Sequence, residues 1–212
     1  MPNDNTFTTL VSGLSLTGEA NAITMVNGAY DVCIVTNGLE YYKISFEETQ
    51  QVTQITPTYE EEDVTGLAIA EQDGSLVIGS KEGFVIASRK GDITDWDYVT
   101  PGSDDTNKPW YQTFGKPVTA IVPYFGGLLV FSPEDSTILK GNFSTASSAV
   151  RESASLGGCM SFESWILHDK YLFFYDNIQK NIYYFAQNDY GQTKLGDPVA
   201  IEVQKMFDHI TK

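Results

Sequence analysis

The densest run of potential chemistry in the sequence is Ser88-Arg89-Lys90-Gly91-Asp92-Ile93-Thr94-Asp95-Trp96-Asp97. Asp92, Asp95 and Asp97 are oxygen donors of the kind a hard cation takes, but their spacing and the lack of a closing glutamate do not match an EF-hand loop. The other reading is a structural turn of Ser88, Gly91, Asp92 and Trp96, in which Asp92 accepts hydrogen bonds from backbone amides and Trp96 packs between sheets. Catalysis by an activated serine needs a histidine base. The two histidines, His168 and His209, fall in an expected hairpin turn and an expected terminal helix, where both read as surface residues. The chain has no Gly-x-Ser-x-Gly, no phosphate-binding glycine loop and no His-Glu-x-x-His. A carboxylate pair for glycoside hydrolysis could arise by chance among 28 acids, and nothing in the sequence locates one. Cys33 and Cys159 are far apart, with no second ligand at metal-binding spacing, and read as buried free thiols. The expectation is a non-enzymatic protein with no catalytic residue, no cofactor and no metal.

The elements that carry these residues repeat. Val64-Thr65-Gly66-Leu67 followed by Gly74-Ser75-Leu76-Val77-Ile78-Gly79-Ser80 matches Val118-Thr119-Ala120-Ile121 followed by Gly126-Gly127-Leu128-Leu129-Val130-Phe131-Ser132. Each reads strand, glycine turn, strand, and a third strand follows at Phe84 to Ser88 and at Thr137 to Gly141. Similar units run from Ala22 through Ile44 and from Phe162 through Phe185. Aligning Val32, Leu76, Leu128 and Tyr171 gives steps of 44, 52 and 43 residues, the size of a propeller blade. The central strands are apolar at nearly every position, which predicts burial on both faces, as between neighbouring blades. Asn-Gly and Gly-Gly turns fit antiparallel meanders, and an aromatic share of 13% favours strands.

The expected fold is therefore all-β: one domain over 1–212, a small β-propeller of about four antiparallel blades near 20–48, 64–99, 117–142 and 160–187. A β-sandwich is the runner-up. Residues 142–158, rich in Ser and Ala, read as a polar connection or weak helix. A strand and short C-terminal helix are expected over 198–212, because Val203, Met206, Phe207 and Ile210 fall at i, i+3, i+4 and i+7. That stripe either caps its own domain or docks a partner. Trp110, Tyr111 and Phe114, placed in the longest inter-strand loop, either form a stacking surface or tuck onto the blade below.

Twenty-eight acidic against 13 basic side chains give a net charge of −15, which argues against nucleic-acid binding. The start, Met-Pro-Asn-Asp-Asn-Thr, has no basic and apolar leader, and no apolar run approaches about 18 residues. The expectation is a soluble protein made in the cytoplasm, with no membrane insertion.

The segment Ser88, Gly91-Asp92, Trp96, together with Val118 to Ile121 and Gly127 to Phe131, resembles the propeller-bearing tail proteins of short-tailed bacteriophages, the nozzle and tail-stabilisation type. The resemblance covers about residues 64–141. It implies a virion structural protein, assembled in the host cytoplasm, that forms a homo-oligomeric ring around the DNA exit channel and docks on other tail or portal proteins. Members of that family are usually much longer. The same turn is also similar to the Asp-box of sialidase propellers, except that here the Asp follows the Gly. The competing class is a recognition module whose rim loops bind glycans or proteins.

Overall fold

A computed structural model of the chain describes residues 14, 16–27, 30–46, 51–100, 105–124, 126–141, 150–153, 157–176, 178–187 and 193–195. They form four antiparallel sheets of four strands each, every sheet a simple meander. Sheet I holds β1 (Asn21–Asn27), β2 (Tyr30–Thr36), β3 (Tyr41–Ser45) and β4 (Gln51–Ile55). A small hairpin, β5 (Thr58–Tyr59) with β6 (Glu62–Asp63), leads to sheet II: β7 (Ala68–Gln72), β8 (Ser75–Gly79), β9 (Phe84–Ala87) and β10 (Trp110–Thr113). Sheet III is β11 (Ala120–Tyr124), β12 (Gly127–Phe131), β13 (Ser136–Lys140) and β14 (Val150–Ser153). Sheet IV is β15 (Trp165–His168), β16 (Tyr171–Asp176), β17 (Asn181–Gln187) and β18 (Thr193–Leu195). There is no helix among the described residues, and hence none long and apolar enough to cross a membrane. The C-terminal strand and helix expected over 198–212 lie outside the described residues.

The all-β class and the repeat are as the sequence predicts, with two differences. Val32, Leu76, Leu128 and Tyr171 do lie on the second strand of successive sheets. Their register is not equivalent, however: the first hairpins close at Asn27–Tyr30, Gln72–Ser75, Tyr124–Gly127 and His168–Tyr171, so Val32 and Leu76 stand at different distances from the turn. Each unit also has a fourth strand beyond the three expected. Strand β14 runs through the stretch read as a polar connection, and β10 carries Trp110 and Tyr111 out of the supposed loop into a ladder with β9. Strand β4 is exposed along Gln51-Val52-Thr53-Gln54, so backbone pairing with β3 rather than an apolar face holds it, whereas β10 also buries Trp110.

The sheets stack in series through three apolar layers. Met25, Val32, Ile34, Tyr41 and Ile55 of sheet I meet Ile69, Leu76, Ile78 and Ile86 of sheet II. Ala68, Ala70, Val77, Val85 and Ala87, on the other face of sheet II, meet Ile121, Leu128, Val130 and Leu139 of sheet III. Val122, Tyr124, Leu129, Phe131 and Ile138 of sheet III then meet Leu172, Phe174 and Phe185 of sheet IV. Every residue of β8 and β12 is buried, whereas burial alternates along β16. No apolar cluster among the described residues joins sheet IV back to sheet I, so the stack does not close on itself there.

Each seam repeats a hydrogen bond. The N–H entering the next sheet donates to the turn between the second and third strands of the previous one: Gly66 to the Gly38 carbonyl (2.8 Å), Val118 to Ser80 (3.0 Å) and Cys159 to Ser132 (3.1 Å). Those turns are capped by buried polar side chains. Thr36 Oγ1 accepts from the Gly38 N–H at 2.8 Å, Ser80 Oγ from Glu82 at 3.0 Å, Ser132 Oγ from Asp135 at 3.0 Å and Asp176 Oδ1 from Ile178 at 2.8 Å. Satisfying these donors inside the fold avoids about 1–3 kcal/mol for each group otherwise left buried and unpaired.

Candidate functional site

The 88–97 segment leaves β9 and folds over the edge of sheet II. Ser88 is buried, and its Oγ accepts from the Leu76 N–H at 3.0 Å. The chain then reverses through an Arg89–Asp92 bridge with Gly91 at φ +79°, a left-handed conformation that a glycine adopts without strain. Asp92 Oδ1 accepts from the Thr94 N–H (3.0 Å) and the Thr94 hydroxyl (2.7 Å). The hydroxyl bond, followed by the backbone bond, holds the Asp92 carboxyl below the usual carboxylate range. Ile93 and Trp96 pack into the layer between sheets I and II.

Asp95 and Asp97 are used locally too. Asp95 Oδ1 accepts from the Asp97 N–H at 3.0 Å, and Asp97 Oδ1 from Val99 and Thr100 at 3.0 and 2.9 Å. Arg89 Nε donates to Asp95 Oδ2 at 2.6 Å, and the same guanidinium donates to Asp105 Oδ2 at 2.8 Å. The Asp105 carboxyl is lowered chiefly by that Arg89 bond. The carboxylates are thus committed to amides and to one guanidinium. Among the described residues no group of three or more His, Cys, Asp or Glu side chains is placed to hold a metal ion.

Beside this turn lies a groove lined by Thr56, Thr58, Glu60, Asp95, Asp97 and Tyr98. Tyr98, the aromatic that lines it together with Trp96, belongs to a ring cluster in which Tyr59 lies 5.5 Å from Tyr98 and 4.8 Å from Tyr111 between ring centroids, with Phe84 4.7 Å from Tyr59. Burial, and then the neighbouring Tyr111, push the Tyr59 hydroxyl well above its ordinary range. The three aromatics singled out from sequence therefore part company. Tyr111 turns outward to join Tyr59 and Tyr98, whereas Trp110 and Phe114 pack into the layer between sheets II and III. Tyr59 and Tyr98 were not legible as partners of Tyr111, because the β5–β6 hairpin that presents Tyr59 is only two residues per strand.

His168, the histidine among the described residues, joins no nucleophile. His168 is solvent-exposed in the β15–β16 hairpin, 3.9 Å from Asp169, and His209 lies outside the described residues, as do Val203, Met206, Phe207 and Ile210. Cys159 is buried between sheets III and IV, where burial raises its thiol to about 11. Cys33 is half-buried on the outer face of sheet I, and burial raises its thiol as well.

Exposed apolar side chains lie at the two ends of the stack, among other places. On sheet IV, Ile166 is 64% exposed beside a half-exposed aromatic cluster of Tyr171, Phe173 and Tyr184, with ring centroids 5.7–6.2 Å apart. On sheet I, Val26 and Phe46 are 58% and 43% exposed, and with Asp31 they line one side of a cavity of about 750 Å³ whose other side is Glu71, Asp73 and Gly74 of the β7–β8 hairpin with Lys90 and Gly91.

No known protein family matches the chain, and no curated protein does. Among solved structures, the chain is similar to a europium-containing methanol dehydrogenase, at 13% identity and a TM-score of 0.39 over 78% of this chain. The match covers 34% of the dehydrogenase, so the chain spans about a third of that protein's length.

Proposed function

We propose that this chain is a non-enzymatic structural module of a bacteriophage virion, one part of the tail or portal-proximal assembly around the DNA exit channel. In this reading the four sheets are blades of a propeller-type body whose ends dock on other protein. The observation that carries it is the open stack, which ends on one apolar sheet face at Ile166, Phe173 and Tyr184 and another at Val26, Cys33 and Phe46. Contiguous apolar sheet surface in water favours association. The net charge of −15 suits a channel wall, because a negative surface repels passing DNA. Committed carboxylates and an isolated, exposed histidine also favour a structural over a catalytic role.

The test is reconstitution of the purified chain with the tail and portal proteins encoded beside it, imaged by electron microscopy. Incorporation into a ring-shaped particle is the expected result. Failure to join any of them would contradict the proposal. A second reading, a glycan- or protein-recognition module, is favoured specifically by the Tyr59–Tyr98–Tyr111 ring cluster, whose Tyr98 lines an acid-lined groove. Glycan-array binding that is lost in Tyr111→Ala would support it in place of the structural role.

A further inference from the structure

We infer that the outer face of sheet IV docks on the outer face of sheet I in a second copy of this chain, head to tail, continuing between molecules the packing that joins sheets within one. This contact rests on the assembly reading above and gives it a surface and an occupant. Counted from the first hairpin, the sheets correspond position by position. The pair Met25–Val32 in sheet I matches Ala70–Val77 in sheet II and Val122–Leu129 in sheet III. All six are buried, and each pair points at the following sheet. The matching pair in sheet IV is Ile166–Phe173, which meets no following sheet among the described residues and leaves Ile166 64% exposed.

The receiving face behaves in the same way. Leu128–Leu139 of sheet III and Leu172–Phe185 of sheet IV are buried against the preceding sheet. The matching positions in sheet I are Asp31 and Phe46, joined by the Phe46 N–H donating to the Asp31 carbonyl at 3.4 Å. Phe46 is 43% exposed where Leu139 and Phe185 are at most 1% exposed. Cys33, paired with a buried Ile44, is half-buried where Ile78, paired with Ile86, is fully buried against sheet I. Among the described residues the stack thus has one unmatched donor-type face and one unmatched acceptor-type face. These complement each other between two copies in head-to-tail order, a heterologous contact.

Charge fits the same pairing. At the III–IV seam the first hairpins meet, with Tyr124 Oη donating to the Lys170 carbonyl at 2.9 Å. The same registration between copies brings Asp31, which replaces the leucine found there in sheets II, III and IV, to the hairpin that carries His168, Asp169 and Lys170, where Lys170 is the cation within reach. A carboxylate covered by an apolar face alone would be costly, and a lysine beside it offsets part of that cost.

Sedimentation velocity on the full 212-residue chain, from low to high micromolar concentration, is expected to show reversible self-association. Phe173→Asp and Phe46→Asp should each weaken it at least about 100-fold, since each buries a carboxylate in the contact. Mixing the two variants should restore a one-to-one complex, because each retains the face that the other lacks. A wild-type chain that stays monomeric, or a mixture that does, overturns the inference. Should the aspartate variants fail to fold, Phe173→Cys provides a second readout under mild oxidation. A disulfide to native Cys33 of another copy is expected, whereas no disulfide, or one within a monomer, overturns the contact. A chain that remains monomeric alone yet enters a particle with other virion proteins would end this inference and leave the structural role standing.

Discussion

Sheets II and III differ from sheets I and IV less in sequence than in what covers them. Strand β12, Gly127-Leu128-Leu129-Val130-Phe131, is buried throughout. Strand β16, Tyr171-Leu172-Phe173-Phe174-Tyr175-Asp176, is as apolar for five residues yet alternates between half-exposed and buried. Continuous apolarity is the composition of a strand covered on both faces, while a strand covered on one face usually alternates apolar with polar residues. Sheet IV therefore has the composition of an interior sheet and the exposure of an edge one.

The contrast is broken most sharply at matched positions. Leu129→Ala removes a fully buried side chain between sheets III and IV and is expected to cost about 3 kcal/mol in urea unfolding. Phe173→Ala, one sheet on in the same register, is expected to cost about 1 kcal/mol or less in dilute protein, because its ring has solvent on one side. Equal costs would show that the face of sheet IV is covered within the monomer.

A smaller effect probes a seam. Tyr41 of sheet I is buried, and its hydroxyl donates to the Gly66 carbonyl at 2.8 Å as the chain enters sheet II. Tyr41→Phe leaves that carbonyl unpaired and should cost about 1–2 kcal/mol with the shape of the layer unchanged. No change in the urea midpoint would mean that the hydroxyl bond does not hold the seam.

The smallest effect belongs to the surface turn. The folded-state pKa values of Asp92, Asp97 and Asp105 are depressed, so their contribution is present above the ordinary aspartate range and is lost as pH falls through the folded values. Stability should decline below about pH 4. Arg89→Met should destabilise slightly at neutral pH, with the gap to wild type narrowing in acid as Asp105 is protonated in both. A gap that widens in acid would assign Arg89 some other role.

Much of this frame was legible in the sequence. Glycine-marked hairpins and apolar second strands revealed four units, because turn chemistry is local. Register was not legible, for the same reason that the strands were easy to find. When every position of Leu76-Val77-Ile78 or Leu128-Leu129-Val130 is apolar, nothing marks which residue faces which neighbour, and a slip of one residue goes unseen. The fourth strands escaped because Gln51 to Gln54 and Val150 to Ser153 carry little apolar signal. Around the 88–97 turn, the roles of Asp92 and Trp96 followed from residue type. The second partner of Arg89, Asp105, lies 16 residues away and required the fold.

The two native cysteines offer the most direct measurement. Cys33 lies on the open face of sheet I, and Cys159 is buried between sheets III and IV. Maleimide labelling of dilute wild-type protein, followed by peptide mass analysis, compares the two faces without any mutation. The account predicts that Cys33 reacts in the native state at a rate independent of sub-denaturing urea, while Cys159 reacts only through global opening, at a rate that rises with urea. Equal protection of both thiols in dilute monomer, or faster labelling of Cys159, would contradict a stack with covered inner layers and open ends.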